Sequence, residues 1–135
     1  MARQFVLPVR VYWADTDAGG VVYHSNYLDY CERARTEWLR ELGFSQQRLA
    51  TTEQVLFTVV HLSIDFRRPA RLDDLLGVRS RAELTGGATV EFMQEVWRDE
   101  PAPELLATVQ VRVACVDAAS FKPRRLPVSL REELA

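Results

Sequence analysis

The chain has 135 residues, which is the length of one domain that can bury most of its apolar side chains in a single core. With 47% hydrophobic and 27% charged residues, its composition excludes disordered and fibrous proteins. The net charge of -2 lacks the basic excess of nucleic-acid binders, so we expect no nucleic-acid partner. We therefore predict one domain over residues 1–135 with a small-molecule partner.

The sequence also bears on where the protein resides. It contains no run of 18 or more apolar residues, so we expect that it does not span a membrane. The segment MARQFVLPVRVYW has neither the apolar core nor the cleavage site of a signal peptide, which predicts a cytoplasmic location. Cys31 and Cys115 lie far apart and belong to no zinc-like spacing. We predict that both are buried, reduced thiols.

A strand, a turn and a long helix are predicted in the first third of the chain. Residues 4–13 are rich in β-branched and aromatic residues, which favours a strand. From residue 26 to 42 the apolar positions recur at helical spacing and form one face: Tyr27, Cys31, Ala34, Trp38 and Leu42. Ser25 or Asn26 can cap the start of this helix, and Gly43 suits a left-handed cap at its end.

Four further strands are predicted, at residues 56–67, 75–84, 89–98 and 105–116. Their links PARLDD, TGGA and DEPAPE contain turn-forming residues. In the first of the four, Leu56, Val60, Leu62, Ile64 and Phe66 alternate onto one face. The tail DAASFKPRRLP holds two prolines, so we expect a loop with at most a short final strand.

The order of strand, long helix and four strands predicts an α+β fold. Short links favour an antiparallel meander for the four later strands. A ferredoxin-like fold needs a second long helix between strands, and the pattern offers none. One helix is best covered if the twisted sheet of about five strands curls around it, which is the hotdog fold. Apolar residues on the outer face or along an edge would then need a second subunit.

The stretch DTDAGGVVYHSNY, residues 15–27, combines two carboxylates, a Gly-Gly pair and a histidine immediately before the helix. Together with FRRPARLDD and ACVDAASFKPRRLP, it resembles the hotdog acyl-CoA thioesterases of the 4-hydroxybenzoyl-CoA thioesterase family. The chain is most similar to the branch of bacterial Tol-Pal system-associated acyl-CoA thioesterases. The resemblance rests on the pattern D-x-D-x-x-G-x-x-Y-H-x-x-Y and covers almost the whole sequence.

The resemblance implies hydrolysis of an acyl-CoA or acyl-carrier-protein thioester without a dissociable cofactor. It places the catalytic carboxylate at Asp17, acting as a general base or a nucleophile. It places the donor for the developing oxyanion at a backbone N–H close to His24, where the amides of a helix N-terminus are unpaired. A homo-oligomer is also implied, expected as a tetramer of two dimers with residues of two chains meeting at Asp17.

The residues themselves leave other interpretations open. Asp17 could form a turn by accepting bonds from nearby amides, and Asp15 is expected to be structural. His24 could polarise a carbonyl, orient water or pack at the helix entrance. His61, among apolar neighbours, is expected to be a core or pocket histidine. A metal site built from Asp15, Asp17 and His24 is conceivable by ligand type, but we predict none because nothing completes the coordination.

Five residues are predicted to contact the substrate. Tyr27, Phe57 and Val59 could line an acyl pocket, although core packing explains Phe57 and Val59 equally well. Lys122 and Arg124, in the basic segment FKPRR, could bind the phosphates of coenzyme A, or form a solvated tail. Some members of the family carry arginines between the third and fourth strands, where this chain has glycines.

Two rival functions remain open from the sequence. A hotdog dehydratase or hydratase that acts on acyl thioesters would share the fold, although it would use a different set of His and acidic residues. A non-catalytic acyl-carrier or envelope-associated scaffold could also keep the fold and bind a thioester without cleaving it.

Overall fold

The computed structural model describes residues 4–135. Its elements follow the predicted order, with β1 shorter than expected and four short helical segments added. Their bounds are β1 Gln4–Arg10, a 3₁₀ turn Trp13–Asp15, α1 Asn26–Glu41, α2 Gln46–Arg48, a π-type turn Leu49–Glu53, β2 Val55–Phe66, β3 Leu75–Leu84, β4 Thr89–Arg98, β5 Glu104–Asp117 and α3 Val128–Leu134. The predicted bounds of β3 and β4 are confirmed, and those of α1 are correct to one residue.

The five strands form one antiparallel sheet in the order β1-β3-β4-β5-β2. The sheet curls around α1, as the hotdog prediction requires. The predicted meander is correct for β3, β4 and β5 but wrong for β2, which pairs with β5 at the far edge. The reason is that β1 occupies the position beside β3 from Gln4↔Arg81 to Arg10↔Leu75, so the link after β2 must cross to that side.

Helix α1 packs one apolar face against the concave side of the sheet. The predicted stripe is largely confirmed, and Tyr30 and Leu39 join it. Ala34 is fully buried, which lets the helix approach the strands closely. Gly43 has a φ of 96° and ends the helix as predicted, because its amide donates to the carbonyl of Arg40. Ser25 is the N-cap residue, although its side chain makes no capping hydrogen bond.

A bulge in β2 changes which of its residues face the helix. The pairing passes from Val59↔Val113 directly to His61↔Arg112, so Val60 is an extra residue. Phe57 and Val59 face α1 before the bulge, and Leu62 and Ile64 face it afterwards. The predicted grouping of Val60 with Leu62 and Ile64 is therefore wrong. His61 is exposed on the outer face, so the prediction of a core or pocket histidine is also wrong.

The C-terminal tail is a loop up to Pro127, as predicted, with a single bridge between Val116 and Pro123. The sequence pattern did not predict the short helix α3 that follows. Its buried residues Leu130 and Leu134 cover the gap between α1 and the start of β2. None of the helices within residues 4–135 is long and apolar enough to cross a membrane.

A buried polar side chain ties α1 to the sheet. Gln94, on β4, donates to the carbonyl of Cys31 at 3.0 Å and to Ser80 Oγ at 2.9 Å. Its carbonyl oxygen accepts from Arg35 Nη1 at 2.9 Å. Burial lowers the pKa of Arg35, and the amide of Gln94 gives this guanidinium a neutral partner in the core. The three bonds fix the rotation of the helix against the strands.

We expect Gln94→Leu to destabilise the fold by about 1–3 kcal/mol, because it leaves the Cys31 carbonyl and Arg35 without their partner at nearly unchanged volume. Urea unfolding followed by circular dichroism measures the change. Gln110→Leu, at an exposed position of β5, is the matched control and should change stability by less than about 0.5 kcal/mol. Equal losses in the two variants would contradict this assignment.

Candidate active site

The carboxylate of Asp15 fixes the turn that precedes α1. Its Oδ2 atom accepts hydrogen bonds from the Tyr12 amide at 3.0 Å and the Tyr30 hydroxyl at 2.9 Å. Its Oδ1 atom accepts from Asn26 Nδ2 at 3.2 Å, and its carbonyl accepts from the Tyr23 amide at 2.8 Å. Burial and the bond to Asp15 both raise the pKa of Tyr30. These contacts make Asp15 an anchor of the turn.

Asp17 lies two residues further on and is exposed. The Gly19 amide donates to its Oδ1 atom at 2.8 Å, while Oδ2 accepts no hydrogen bond from the described residues. Its backbone is fixed on both sides, because its amide donates to Val21 and its carbonyl accepts from Gly20. A Cβ atom on Gly19 would stand 3.2 Å from Oδ1, so glycine lets the carboxylate fold over the turn. One oxygen of Asp17 is thus held and the other is free to react.

Within one chain, the side chains of Asp17 and His24 line two different surface cavities. Asp17 borders a cavity of about 540 Å³ with Trp13, Thr16 and Leu72. His24 borders a groove of about 280 Å³, and its ring packs on that of Tyr23 with centroids 4.4 Å apart. The predicted catalytic pair is therefore close in the chain, but the two side chains do not share a pocket.

The backbone around His24 offers an unpaired donor at the entrance of α1. The Tyr23 amide donates to Asp15, and the Asn26 amide donates to Tyr23. Among residues 4–135, no backbone carbonyl accepts from the His24 amide. The first amides of the following helix also point in this direction and carry a partial positive charge. The entrance of α1 is therefore suited to a carbonyl oxygen that gains negative charge.

Tyr27 contributes mainly to packing beneath this groove. Its side chain is 3% exposed, and its hydroxyl accepts from the Ala70 amide at 3.0 Å. The edge of its ring meets Phe66 with centroids 5.2 Å apart. Burial raises the pKa of the phenol, so it remains a neutral wall. Only a small part of Tyr27 is left for contact with a substrate.

Phe57 and Val59 line a cavity of about 130 Å³ between α1, β2 and α3. Phe92 from β4 and Leu126 and Leu130 from the tail complete its apolar wall. Arg35 and Glu32 lie at its border, so the cavity is apolar inside with a charged rim. Its size and lining are suited to a small acyl group.

The predicted phosphate-binding residues lie in the tail beyond β5. Lys122 is exposed. Arg124 donates through Nη1 to the carbonyls of Glu53 at 3.0 Å and Gln54 at 3.3 Å, and the same atom is 3.5 Å from Asp117. Arg124 therefore holds the tail against the start of β2, whereas Lys122 extends into solvent.

The two groups of predicted residues lie at opposite ends of the sheet. The Asp17 turn adjoins the start of β3, where Val21 bridges Arg71, while the tail adjoins the turn after β3, where Leu126 donates to Gly87. Helix α1 spans the same distance, about 24 Å for its 16 residues. Within one chain, His24 and Tyr27 therefore line one groove, and Phe57 and Val59 line one cavity. Asp17 and Lys122, by contrast, lie at opposite ends of the sheet.

One feature of this region was missed from the sequence. Trp13 is 80% exposed beside Asp17, with exposed Tyr12 and Leu72 near it. Large apolar side chains around a free carboxylate indicate a surface that a substrate or another chain covers. Among the described residues, no group of three or more His, Cys, Asp and Glu side chains is arranged to hold a metal ion.

A curled antiparallel sheet around one long helix, with an exposed carboxylate on a fixed turn at the helix entrance, defines a domain of the hotdog class. Comparison with known proteins identifies the family within this fold class. The chain belongs to the Thioesterase superfamily, whose profile matches residues 19–104, and it is accordingly a thioester hydrolase.

Relatives and solved structures agree with this assignment. The chain is 47% identical over 127 residues to the acyl-CoA thioesterase YbgC of Haemophilus influenzae, covering 94% of this chain and 91% of that protein. A probable thioesterase from Bartonella henselae is 40% identical with a TM-score of 0.86, covering 93% of this chain and all of that one. A 1,4-dihydroxy-2-naphthoyl-CoA thioesterase from Synechocystis is 30% identical with a TM-score of 0.92, covering 98% and 96% of the two chains.

We expect Tyr30→Phe to lower the free energy of unfolding by about 1–2 kcal/mol, because the Asp15 carboxylate loses a buried donor. Thermal and urea unfolding measure this loss. Tyr23→Phe is the matched control, since Tyr23 is 46% exposed and its hydroxyl has no hydrogen-bond partner among the described residues. Unchanged stability in Tyr30→Phe would show that Asp15 does not anchor the turn.

Proposed function

We propose that the protein hydrolyses acyl-CoA thioesters to a carboxylic acid and free coenzyme A. The observation that carries the proposal is the carboxylate of Asp17, which presents one free oxygen on a turn fixed by Asp15 at the start of α1. Membership of the Thioesterase superfamily and similarity to the acyl-CoA thioesterase of Haemophilus influenzae support the same reaction.

In the proposed reaction, Asp17 acts as a general base or as a nucleophile. As a base, it takes a proton from water while the oxygen of that water bonds to the thioester carbon. The carbonyl oxygen then carries negative charge, which the His24 amide and the start of α1 stabilise. The C–S bond breaks, and the thiolate leaves with its electron pair. Thiols ionise close to neutral pH, so no strong general acid is needed at sulfur.

We propose that the active enzyme is a homo-oligomer, expected as a tetramer of two dimers. Strand β2 is an edge of the sheet with 12 residues, and its Val59, Val60 and Phe66 are 43%, 55% and 51% exposed. Such an edge favours pairing with another strand. A twofold axis at this edge would set two copies of β2 antiparallel and place the Asp17 turn of one copy beside the tail of the other.

The substrate contacts follow from this arrangement. The acyl group would enter the cavity of Phe57 and Val59, with Tyr27 at the wall of the neighbouring groove. Lys122 and Arg124 would provide positive charge for the phosphates of coenzyme A or of an acyl carrier protein. The reaction needs no dissociable cofactor.

We also propose a single domain over residues 1–135 and a cytoplasmic location. The two buried free cysteines, Cys31 and Cys115, support a reducing compartment. Burial raises the pKa of both thiols, so they are poorly reactive. The association with the Tol-Pal system rests on the sequence resemblance and stays a prediction.

We expect Asp17→Asn to reduce kcat for acyl-CoA by about 10²–10⁴-fold while keeping the fold, because the amide can still accept the Gly19 bond but cannot act as a base or stable nucleophile. Release of free thiol measures the rate. Asp15→Asn should lose stability but much less activity per folded molecule. His24→Ala should have an intermediate effect, because the backbone donor remains. A folded Asp17→Asn protein with wild-type kcat would overturn the mechanism.

We expect light scattering at micromolar concentration to give a mass at least twice that of the 15.5 kDa chain. Replacing Val60 of the β2 edge with lysine should shift the protein to monomer and lower activity together, because Val60 is 55% exposed at this edge. Lysine at Val128, which is 59% exposed in α3, is the matched control. A wild-type preparation that is monomeric and active would contradict the proposed assembly.

A further inference from the structure

A partly buried cation lies on the wall of the apolar cavity and takes no part in the chemistry above. Arg35 belongs to α1 and lines this cavity together with Phe57 and Val59. Its Nη1 atom donates to Gln94 Oε1 at 2.9 Å, and its guanidinium carbon is 6.0 Å from the centre of the Phe92 ring. Within residues 4–135, no carboxylate pairs with this guanidinium. Taking a charge out of water without a counter-ion is costly, so the position of Arg35 needs an explanation.

Several donor groups of Arg35 remain open. A guanidinium carries more than one N–H group on each side of its plane, and the bond to Gln94 uses a single one of them. In the part of the chain that the structure describes, Arg131 Nε alone is a side-chain nitrogen that is both sealed in the core and without a partner. The remaining donors of Arg35 are therefore accessible to a molecule that occupies the cavity.

The nearest acidic side chain is bound elsewhere. Glu32 lies at the rim of the cavity and attracts the charge of Arg35 through space. However, its Oε1 atom accepts from Thr36 Oγ1 at 3.2 Å, and Gln46 Nε2 donates to the same Thr36 oxygen at 2.9 Å. These bonds hold Glu32 along the exposed side of α1. The cavity thus keeps a cation that no protein carboxylate contacts directly.

The size of the cavity limits what it can hold. Its volume is about 130 Å³, and apolar cavities of about 150 Å³ accommodate a ring of about six carbon atoms. Phe92, Leu126 and Leu130 complete the apolar wall, so the chain of a ligand would be desolvated there. A short methylene chain that ends in a carboxylate has this size and places its charge where Arg35 lies.

We propose that Arg35 is a specificity-determining residue that selects acyl groups with a carboxylate at the end distant from the thioester, as in thioesters of short dicarboxylic acids. The inference rests on the proposed thioesterase function and names its substrate class. The donors that Gln94 leaves free would bind the carboxylate, while Phe57 and Val59 contact the methylene groups. Gln94 is itself held by Cys31 and Ser80, so the guanidinium is fixed before the ligand enters.

The test compares glutaryl-CoA with 5-methylhexanoyl-CoA, in which a branched methyl end replaces the carboxylate at equal size. We expect the wild type to have a kcat/KM about tenfold higher for glutaryl-CoA. Arg35→Met, which removes the charge at similar volume, should raise KM for glutaryl-CoA about tenfold and leave the kinetics of 5-methylhexanoyl-CoA nearly unchanged. Arg35→Lys should keep most of the preference. Arg33→Met removes an exposed charge from the same helix and should match the wild type.

Either of two kinetic results would overturn the proposal. One is a wild-type protein that does not prefer glutaryl-CoA over 5-methylhexanoyl-CoA. The other is an equal loss for both substrates in Arg35→Met, because a purely structural role of Arg35 would impair both alike. If Arg35→Met does not fold, the wild-type preference and the behaviour of Arg35→Lys decide the question.

Calorimetric titration with thioether analogues, which cannot be hydrolysed, separates this inference from the proposed function. We expect the wild type to bind S-(4-carboxybutyl)-CoA about tenfold more tightly than S-(5-methylhexyl)-CoA, and Arg35→Met to lose this difference. A wild type that shows the difference but hydrolyses neither thioester would refute the proposed function and support the carboxylate site. Hydrolysis of both thioesters with equal dissociation constants for the two analogues would overturn the carboxylate site and leave the proposed function standing.

Discussion

The carboxylate of Asp15 is the contact on which the candidate site depends. It joins the 3₁₀ turn to the first turn of α1 through Tyr30 and Asn26, while its carbonyl holds Tyr23. With both ends of the loop fixed, the backbone of Asp17 can point its carboxylate outward and the His24 amide is left unpaired. The two acidic residues of the motif, Asp15 and Asp17, thus have different roles. Asp15 is partly buried and holds the loop, and Asp17 is exposed with one free oxygen.

The length of α1 imposes the second constraint. The helix runs the length of the sheet, so the Asp17 turn at its start and the tail near its end cannot meet in one subunit. The apolar cavity lined by Phe57 and Val59 lies at the end of the sheet where the tail packs. Lys122 and Arg124 belong to that tail. A second copy of the chain, paired at the β2 edge, would join these two ends and would also cover the exposed apolar residues of that edge.

The sequence predicted what local pattern determines. The helical spacing from Tyr27 to Trp38 and the turn residues around β3 and β4 gave those elements nearly to the residue, because burial periodicity and turn chemistry are local. Asp17 was predicted as the catalytic carboxylate through a motif whose residues lie close together in the chain. The exposed outward position of His61 could not be predicted, since a single extra residue at Val60 reverses the alternation.

The other features that the sequence did not predict depend on contacts between residues far apart in the chain. The place of β2 beside β5 depends on β1 occupying the far edge, which no pattern within β2 reveals. The division between Arg124, bound to the carbonyls of Glu53 and Gln54, and Arg125, lying along Gly87, depends on residues far from the tail in sequence. Two adjacent arginines look equivalent in the sequence and differ only once the tail is folded against the sheet.

The central claim is that an intact site needs the Asp17 turn of one copy and the tail of another. Complementation tests it most directly: Asp17→Asn chains are refolded together with chains that carry Lys122→Glu and Arg124→Glu, and hydrolysis is measured at an acyl-CoA concentration well below KM. Half of the resulting pairs would be mixed, and each would contain one intact site, so we predict recovery of about a quarter of the wild-type rate. A mixture no more active than its two parents would contradict the account.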